Sequence, residues 1–355
     1  MHIEELLHLT VEKRASDLHL RVPSPPVLRI DGALKVQEQL PGVTPQFVKE
    51  CLEHIATERQ LERFYNNLEL DLAYGVPGLA RFRVNAFFQR GTISIAIRQI
   101  PIEIPTIDEL GLPRVCKTLA TKQRGLVLVT GQTGQGKSTT LAAMINHMNQ
   151  NDRRNVITIE DPIEYLHQHN KCLIAQRELG DDTKSFPNAL KHSLREDPDV
   201  ILVGEMRDLD TIATAITAAE TGHLVLSTVH TANAPQTIDR VIDVFPPHQQ
   251  VQIRFQLSMV VEGVLSQLLI PRASGIGRVA AIEIMIATDA IRNLIREGKT
   301  EQIPSYIQTG KQCEMQTMDM ALQELVRSGT VTMEEAMIRA TKPDEIRRVR
   351  VPVYA

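Results

Sequence analysis

Tryptophan is missing from this chain of 355 residues, and aromatic residues make up only 4% of it. Platforms on which unpaired bases stack are therefore scarce. The net charge of −4 argues in the same direction, against a broad nucleic-acid surface. No apolar run approaches the roughly 20 residues of a membrane-spanning helix. The start of the chain carries Glu4 and Glu5 and lacks the basic opening of a secretory leader. These absences predict a cytoplasmic protein with no direct membrane insertion. Cys51, Cys116, Cys172 and Cys313 lie far apart, without C-x-x-C spacing. A disulfide framework is not implied, and a structural zinc site is disfavoured. The expectation is four reduced thiols, mostly buried. What remains is 43% hydrophobic and 23% charged, an ordinary globular composition. The length suits about two domains.

One stretch carries specific chemistry. Gly131, Gln132, Thr133, Gly134, Gln135, Gly136, Lys137, Ser138 and Thr139 fit the pattern G-x-x-x-x-G-K-[ST] at every fixed position. An apolar run of strand type, 126–130, precedes it. Leu141, Met144, Ile145 and Met148 follow at helical spacing. Strand, glycine turn and helix in that order make a phosphate cradle. Backbone N–H groups turn inward, and the helix N-terminus adds a favourable field. Lys137 would neutralise the β- and γ-phosphates, and the Ser138 hydroxyl would hold Mg²⁺. The expected ligands are ATP and Mg²⁺.

The organisation reads as α/β throughout. Residues 1–100 form a separate α+β domain. Ile3, Leu6, Leu7 and Val11 predict an opening helix, 17–21 and 26–30 alternate as strands do, and Asp31-Gly32 signals a hairpin turn. A helical pattern covers 47–64. Three strands follow at 68–73, 80–88 and 92–100, and the expected result is a mixed sheet flanked by helices. Pro101 and Pro105 favour an extended linker over 101–112. The P-loop domain, 113–289, has strands at 126–130, 156–160, 200–204 and 224–229 with helices between them, the pattern of a parallel doubly wound sheet. A long helix over 251–267 and a strand over 279–286 close it. Residues 290–355 are a C-terminal helical region, with segments at 290–297, 317–327 and 333–340 and a basic tail of Arg347, Arg348 and Arg350.

Carboxylates gather at two strand ends. Glu205 follows strand 200–204, where a P-loop enzyme needs an acid near the phosphates. Gly204 stands where an aspartate is usual. Glu160, Asp161 and Glu164 follow strand 156–160. Such acids crowd unfavourably unless a cation or proton compensates, and the alternative is a solvated acidic turn. His223 and His230 bracket strand 224–229 at an odd separation, which places them on opposite faces and disfavours a shared metal. A histidine beside the γ-phosphate could sense nucleotide state; an ordinary polar strand end is the alternative. Arg83 and Arg98 lie on the last two strands of the first domain. They read as solvated surface arginines or as donors to phosphate.

Taken together, Ala15 to Leu20, Gly131 to Thr139, Ile157 to Glu164, Arg195 to Asp208 and Thr221 to Thr231 resemble the secretion ATPase superfamily of type II secretion and type IV pili. The blocks match its Walker A, aspartate box, Walker B and histidine box, and the resemblance covers nearly the whole chain. It implies a PAS-like N-terminal domain, a RecA-like ATPase domain, and a cytoplasmic homohexamer peripheral to the inner membrane. ATP would lie between the two domains near a subunit boundary. Gly204 is the family's own residue before the Walker B glutamate. Glu205 and Glu164 become the acids that position or activate water, with Glu160, Asp161, His223 and His230 around them. The separation of Arg83 and Arg98 matches paired arginines that the family sends to a neighbouring subunit's nucleotide. Gln132 and Gln135 occupy variable loop positions often held by Pro and Ser in relatives; Gln135 is expected to bear on loop stiffness and to leave the backbone cradle unaffected.

Within that superfamily the chain is similar to the pilus-retraction subfamily. It starts at the small domain without a long extension, it lacks the four-cysteine zinc element of assembly and secretion ATPases, and 290–299 resembles the retraction subfamily's C-terminal signature. In that helix Ile291, Leu294 and Ile295 pack inward, which leaves Arg292, Asn293, Arg296 and Glu297 for a partner. The implied partners are an inner-membrane pilus platform protein and the assembly ATPase, with no nucleic acid. The nearest rival is an assembly or secretion ATPase with the same chemistry. A RecA-like nucleic-acid translocase belongs to another class, and charge and aromatic content count against it. A small-molecule kinase would need a lid and an acceptor pocket, for which there is no signature.

Overall fold

Ile3, Leu6, Leu7 and Thr10 recur at helical spacing and form the buried stripe of α1 (Ile3–Glu12). The computed structural model describes residues 1–30, 32–100 and 103–349. Its contacts divide the chain into two compact units, Met1–Glu103 and Ile104–Ala355. Asp31, Pro101, Ile102 and Arg350, which figure in the turn, linker and tail expectations, lie outside the described residues.

The first unit continues through β1 (Asp17–Leu20), β2 (Val27–Ile30), β3 (Ala33–Val36), α2 (Pro45–Ile55), α3 (Glu58–Asn67), β4 (Glu69–Val76), β5 (Ala80–Gln89) and β6 (Thr92–Ile100). The strands form one sheet in the order β3-β2-β1-β6-β5-β4. Every pairing within this sheet, among the described residues, is antiparallel, which corrects the expected mixed sheet. Along β5, residues alternate between buried and half-buried, with Phe82, Val84 and Ala86 facing the core. The helical pattern over 47–64 is two helices. Ala56 is extended, and Thr57 and Gln60 form a reciprocal capping box that starts α3.

The second unit contains α4 (Val115–Ala120), β7 (Gly125–Thr130), α5 (Lys137–Asn151), β8 (Asn155–Glu160), β9 (Leu173–Glu178), α6 (Phe186–Ser193), β10 (Val200–Val203), α7 (Leu209–Glu220), β11 (Leu224–Val229), α8 (Ala234–Asp243), α9 (Pro247–Val260), β12 (Val261–Pro271) and β13 (Arg278–Ile286). Its sheet runs β13-β12-β7-β11-β10-β8-β9 and is parallel except for the β12–β13 hairpin. Every residue of β7 and β11 is buried, as parallel strands covered on both faces require. Alternate residues of β7 serve opposite cores. Val127 and Val129 pack with α4 and α5, while Leu126 and Leu128 pack with α7, α8 and α9.

The expected helix over 251–267 is corrected. The helix stops at Val260, and β12 begins at once, between β7 and β13. Val261, Val264 and Leu265 suit either period, but β-branched valines in a fully covered run favour the strand. Gly263 fits there because a Cβ would stand 3.0 Å from the Leu119 side chain. Strand β9 was not expected; it is an edge strand whose Leu173 is exposed.

The C-terminal elements are α10 (Asp289–Glu297), α11 (Ile303–Thr309), α12 (Met318–Arg327), α13 (Met333–Arg339) and α14 (Pro343–Arg347). Ile291, Leu294, Ile295, Ile303 and Ile307 join the core beneath α7, α8 and α9. Ala321, Leu322, Val326 and Ile346 cover Ile270, Val279 and Ala281 of the β12–β13 hairpin. The helical region is therefore part of the second unit, anchored in it at two places. Among the described residues no helix is long and apolar enough to cross a membrane. Cys51, Cys116 and Cys172 are buried and Cys313 is exposed; all four are free thiols.

Candidate nucleotide site

Strand β7 ends at Thr130, and the loop that follows turns on glycine. Gly131, Gly134 and Gly136 have φ of 144°, 79° and 81°, values that side-chain-bearing residues rarely adopt. Helix α5 then starts at Lys137 with no side-chain cap. The first-turn amides of Lys137, Ser138 and Thr139 thus have neither an intrahelical acceptor nor a capping side chain. Gln132, Thr133 and Gly134 at the loop tip are exposed. An uncapped helix N-terminus behind a glycine loop is fitted to bind phosphate, so the residues present suit a nucleotide.

Lys137 is buried, and its Nζ donates to the carbonyls of Gly131 and Gln132 at 2.9 and 3.0 Å. Burial lowers its pKa, and the charges of Glu164 and Glu205 oppose that shift. Both acids therefore act on the P-loop lysine through their fields. Glu205 pairs with Arg207 Nε at 2.6 Å and meets His230 Nε2 at 3.5 Å. His230 is lowered by burial and by Lys137 and Arg207, against the pull of Glu205. It is neutral at pH 7, able to donate from one nitrogen and accept at the other.

The geometry explains Gly204. The end of β10 presses on β8, and a Cβ at Gly204 would stand 3.1 Å from the Ile159 carbonyl and 3.3 Å from Glu160 Cα. A side chain there would require the Ile159–Glu160 backbone to give by a few tenths of an ångström.

Glu160 accepts from Thr158 Oγ1 at 2.6 Å and from Gln176 Nε2 at 3.1 Å. Burial raises its pKa despite these bonds. Asp161 and Glu164 are exposed on the loop beyond it. Thr139 Oγ1 shares a 2.9 Å hydrogen bond with the Tyr165 hydroxyl, which ties the start of α5 to that acidic loop.

The second unit thus gathers the P-loop, Glu205, His230 and Glu164 at the C-terminal edge of its parallel sheet. His223 is not brought there. It precedes β11, and its carbonyl accepts from Gly125 N at the start of β7. About 23 Å of strand separates it from His230. Its ring contacts the Ala218 carbonyl at 2.8 Å. Arg83 and Arg98 are directly opposite each other on β5 and β6 of the first unit. Arg98 Nε donates to Asp17 at 2.9 Å, and Arg83 Nε lies 3.9 Å from Asp71.

Two further expectations change. Arg292 is not a free surface charge. It donates to the Ser258 and Met259 carbonyls at 2.8 and 2.9 Å and to Glu262 at 2.8 Å. Gln135 does bear on the cradle: its carbonyl accepts from Gln267 Nε2 at 2.8 Å, and its side-chain oxygen accepts from Leu269 N. Gln267 escaped notice because it lies in the stretch that reads as helix and carries no motif.

Fold and site define a P-loop ATPase with a RecA-like sheet. The chain belongs to the Type II/IV secretion system protein family, whose model matches residues 77–339. It is 50% identical over 344 residues to the type IV pilus retractation ATPase PilT of Pseudomonas aeruginosa, covering 97% of this chain and 99% of that one. It is 48% identical over 321 residues to a twitching motility protein of Neisseria gonorrhoeae, covering 90% and 86%. A crystal structure of the pilus retraction motor PilT with bound ADP superimposes with a TM-score of 0.92 at 46% identity, covering 98% and 99%.

Proposed function

We propose that this chain is a motor ATPase that couples ATP hydrolysis to retraction of type IV pili. It acts as a cytoplasmic homohexamer on a platform protein in the inner membrane, with the assembly ATPase as a further partner. Residues 1–100 and 113–289 are its two working domains, joined by 101–112, and 290–355 passes the work outward. The observation that carries the reading is the P-loop facing Glu205 and Glu164 in a chain half identical to a pilus retractation ATPase over almost its full length.

Each residue has a physical task. Loop amides from Gly131 to Thr139 take the phosphates. Lys137 leaves the Gly131 and Gln132 carbonyls for the β/γ-phosphates and carries positive charge to them. Ser138 would hold Mg²⁺, which would supply positive charge beside the same phosphates. Glu205 and Glu164 orient the attacking water and draw its proton. His230, 3.5 Å from Glu205, reports which phosphate is present. Arg83 and Arg98 complete the site of a neighbouring subunit with fixed planar donors. The test is deletion of the gene while labelled pili are followed by fluorescence. Fibres that extend but fail to shorten are expected; normal shortening would remove this chain from the role.

A further inference from the structure

Around the P-loop, one residue outside every recognised motif touches more of the loop than any other contact described above. Gln267 lies on β12, the strand beside β7, and is 5% exposed. Its Nε2 donates to the Gln135 carbonyl at 2.8 Å, and its Oε1 accepts from Thr140 Oγ1 at 2.7 Å. The same residue sets the space for two loop glycines. A Cβ on Gly131 would stand 2.5 Å from the Gln267 carbonyl oxygen, and one on Gly136 would stand 3.0 Å from its Nε2. Two residues further along β12, Leu269 N donates to the Gln135 side chain, and a Cβ on Gly136 would stand 3.4 Å from Leu269 Cδ1. From β13, Arg278 Nη1 reaches the Gly134 carbonyl at 3.4 Å.

We propose that Gln267 is a positioning residue for nucleotide binding: its amide spans from the Gln135 carbonyl to the Thr140 hydroxyl and holds the P-loop in its phosphate-binding shape. The amide is matched to the task, since it offers a donor to a carbonyl and an acceptor to a hydroxyl at once. The bond from Thr140 is buried and the bond to the Gln135 carbonyl is part-buried, so losing them takes partners from a hydroxyl and a carbonyl that are largely withdrawn from water. The loop glycines supply freedom of φ, and freedom must be restrained before amides can converge on a phosphate. Gln135 adds a second restraint by reaching the backbone of β12. Ground state and transition state need the same loop shape, so the effect falls on affinity more than on turnover.

The test compares Gln267→Leu, Gln267→Glu and Gln135→Ala with the unaltered full chain. Binding of a fluorescent ADP analogue, KM for ATP, kcat and melting temperature without nucleotide are measured. Gln267→Leu is expected to weaken ADP binding about tenfold and raise KM by a similar factor, with kcat within about twofold. Gln135→Ala is expected to weaken binding about threefold, since only the bond to Leu269 N is lost. Gln267→Glu keeps the acceptor for Thr140 and sets an oxygen against the Gln135 carbonyl, so it should bind ADP no better than Gln267→Leu. Unchanged ADP affinity in folded Gln267→Leu overturns the proposal, whatever its melting temperature. A fall in kcat with unchanged KM overturns it as well. Should Gln267→Leu fail to fold, wild-type ADP affinity in Gln267→Glu decides against the proposal in its place.

Discussion

Along the first sheet, charge stands on the strands themselves: Arg29, Asp17, Arg98 and Arg83 form a row across β2, β1, β6 and β5. Along the second, β7, β10 and β11 are buried throughout, and Lys137, Glu205 and His230 come just after them. The contrast follows from covering. An antiparallel sheet with one free face can carry ions in its middle, and a sheet covered on both faces can place them only at its rims. Arginines directly opposite each other repel, so Arg83 and Arg98 need the carboxylates of Asp71 and Asp17. Asp17 shows the balance: burial works to raise its pKa, yet hydrogen bonds from Ser16 and Arg98 and the charge of Arg98 leave it lowered. At the rim of the second sheet Glu205 is likewise paired, with Arg207, while Lys137 Nζ meets backbone carbonyls and Glu164 is exposed. Charge on a strand is therefore weak evidence of function, and charge at a buried strand's C-terminal end is strong evidence.

The largest test breaks the rim. Lys137→Ala should cut phosphate release by at least about 10³-fold, because the mechanism is largely electrostatic. Glu205→Ala should retain ATP binding and lose about 10²-fold in kcat. Normal turnover in either variant would take the second sheet's rim out of the chemistry.

A second test concerns burial beside that rim. His167 follows the acidic loop and is pushed down to about 4 by burial. Between pH 6.5 and 4 the unfolded chain takes a proton that the native histidine refuses, so stability falls as pH falls through that window. Full loss amounts to roughly 3 kcal/mol. Denaturant melts at pH 7 and pH 4.5 should show a smaller difference in His167→Gln than in the unaltered chain. An identical pH dependence in both would place that histidine in water.

The first sheet gives a smaller effect and a sharper choice. If Arg98 only pairs with Asp17, Arg98→Ala changes stability by about 1 kcal/mol or less and spares turnover. If it serves a neighbouring subunit, turnover falls about tenfold, and mixing with Lys137→Ala under confirmed subunit exchange restores part of it. Inactive mixtures would leave Arg98 as an ion-pair residue.

The smallest effect separates two arginines of one helix. Arg296→Ala should stay within about 0.5 kcal/mol in stability and keep ATPase activity while impairing retraction in cells. Arg292→Ala removes partners from two carbonyls and from Glu262, and should cost about 1–3 kcal/mol. Equal melting of the two variants would contradict the contacts of Arg292; normal retraction by Arg296→Ala would free α10 from the coupling role.

What was legible follows the same contrast. Strands β7 and β10 announce themselves because apolar runs, 126–129 and 200–203, end abruptly close to Gly131 and Gly204, and β11 because its apolar start, 224–226, follows Gly222. Strand β12 does not, since no glycine or proline separates it from α9, and its apolar positions satisfy two periods. Gln267 was invisible for a different reason. Its partners Gln135 and Thr140 lie 132 and 127 residues away, and they meet only because β12 is laid beside β7. Arg292 was misjudged because helical spacing shows which residues face inward on one helix, and says nothing of a second helix whose carbonyls lie within an arginine's reach. His223 and His230 share one block of sequence, yet a buried strand carries them to opposite rims.

The join between α9 and β12 has a mechanical side. Helix passes into strand at Val261 with no intervening loop. Arg292 grips the last turn of the helix, and Glu262, just inside the strand, is held by Arg292 and by Lys122 at 2.9 Å. The chain therefore runs from α9 through β12 to Gln267 without a turn, and its pairing with β7 shifts register once on the way, between Val261 and Gly263.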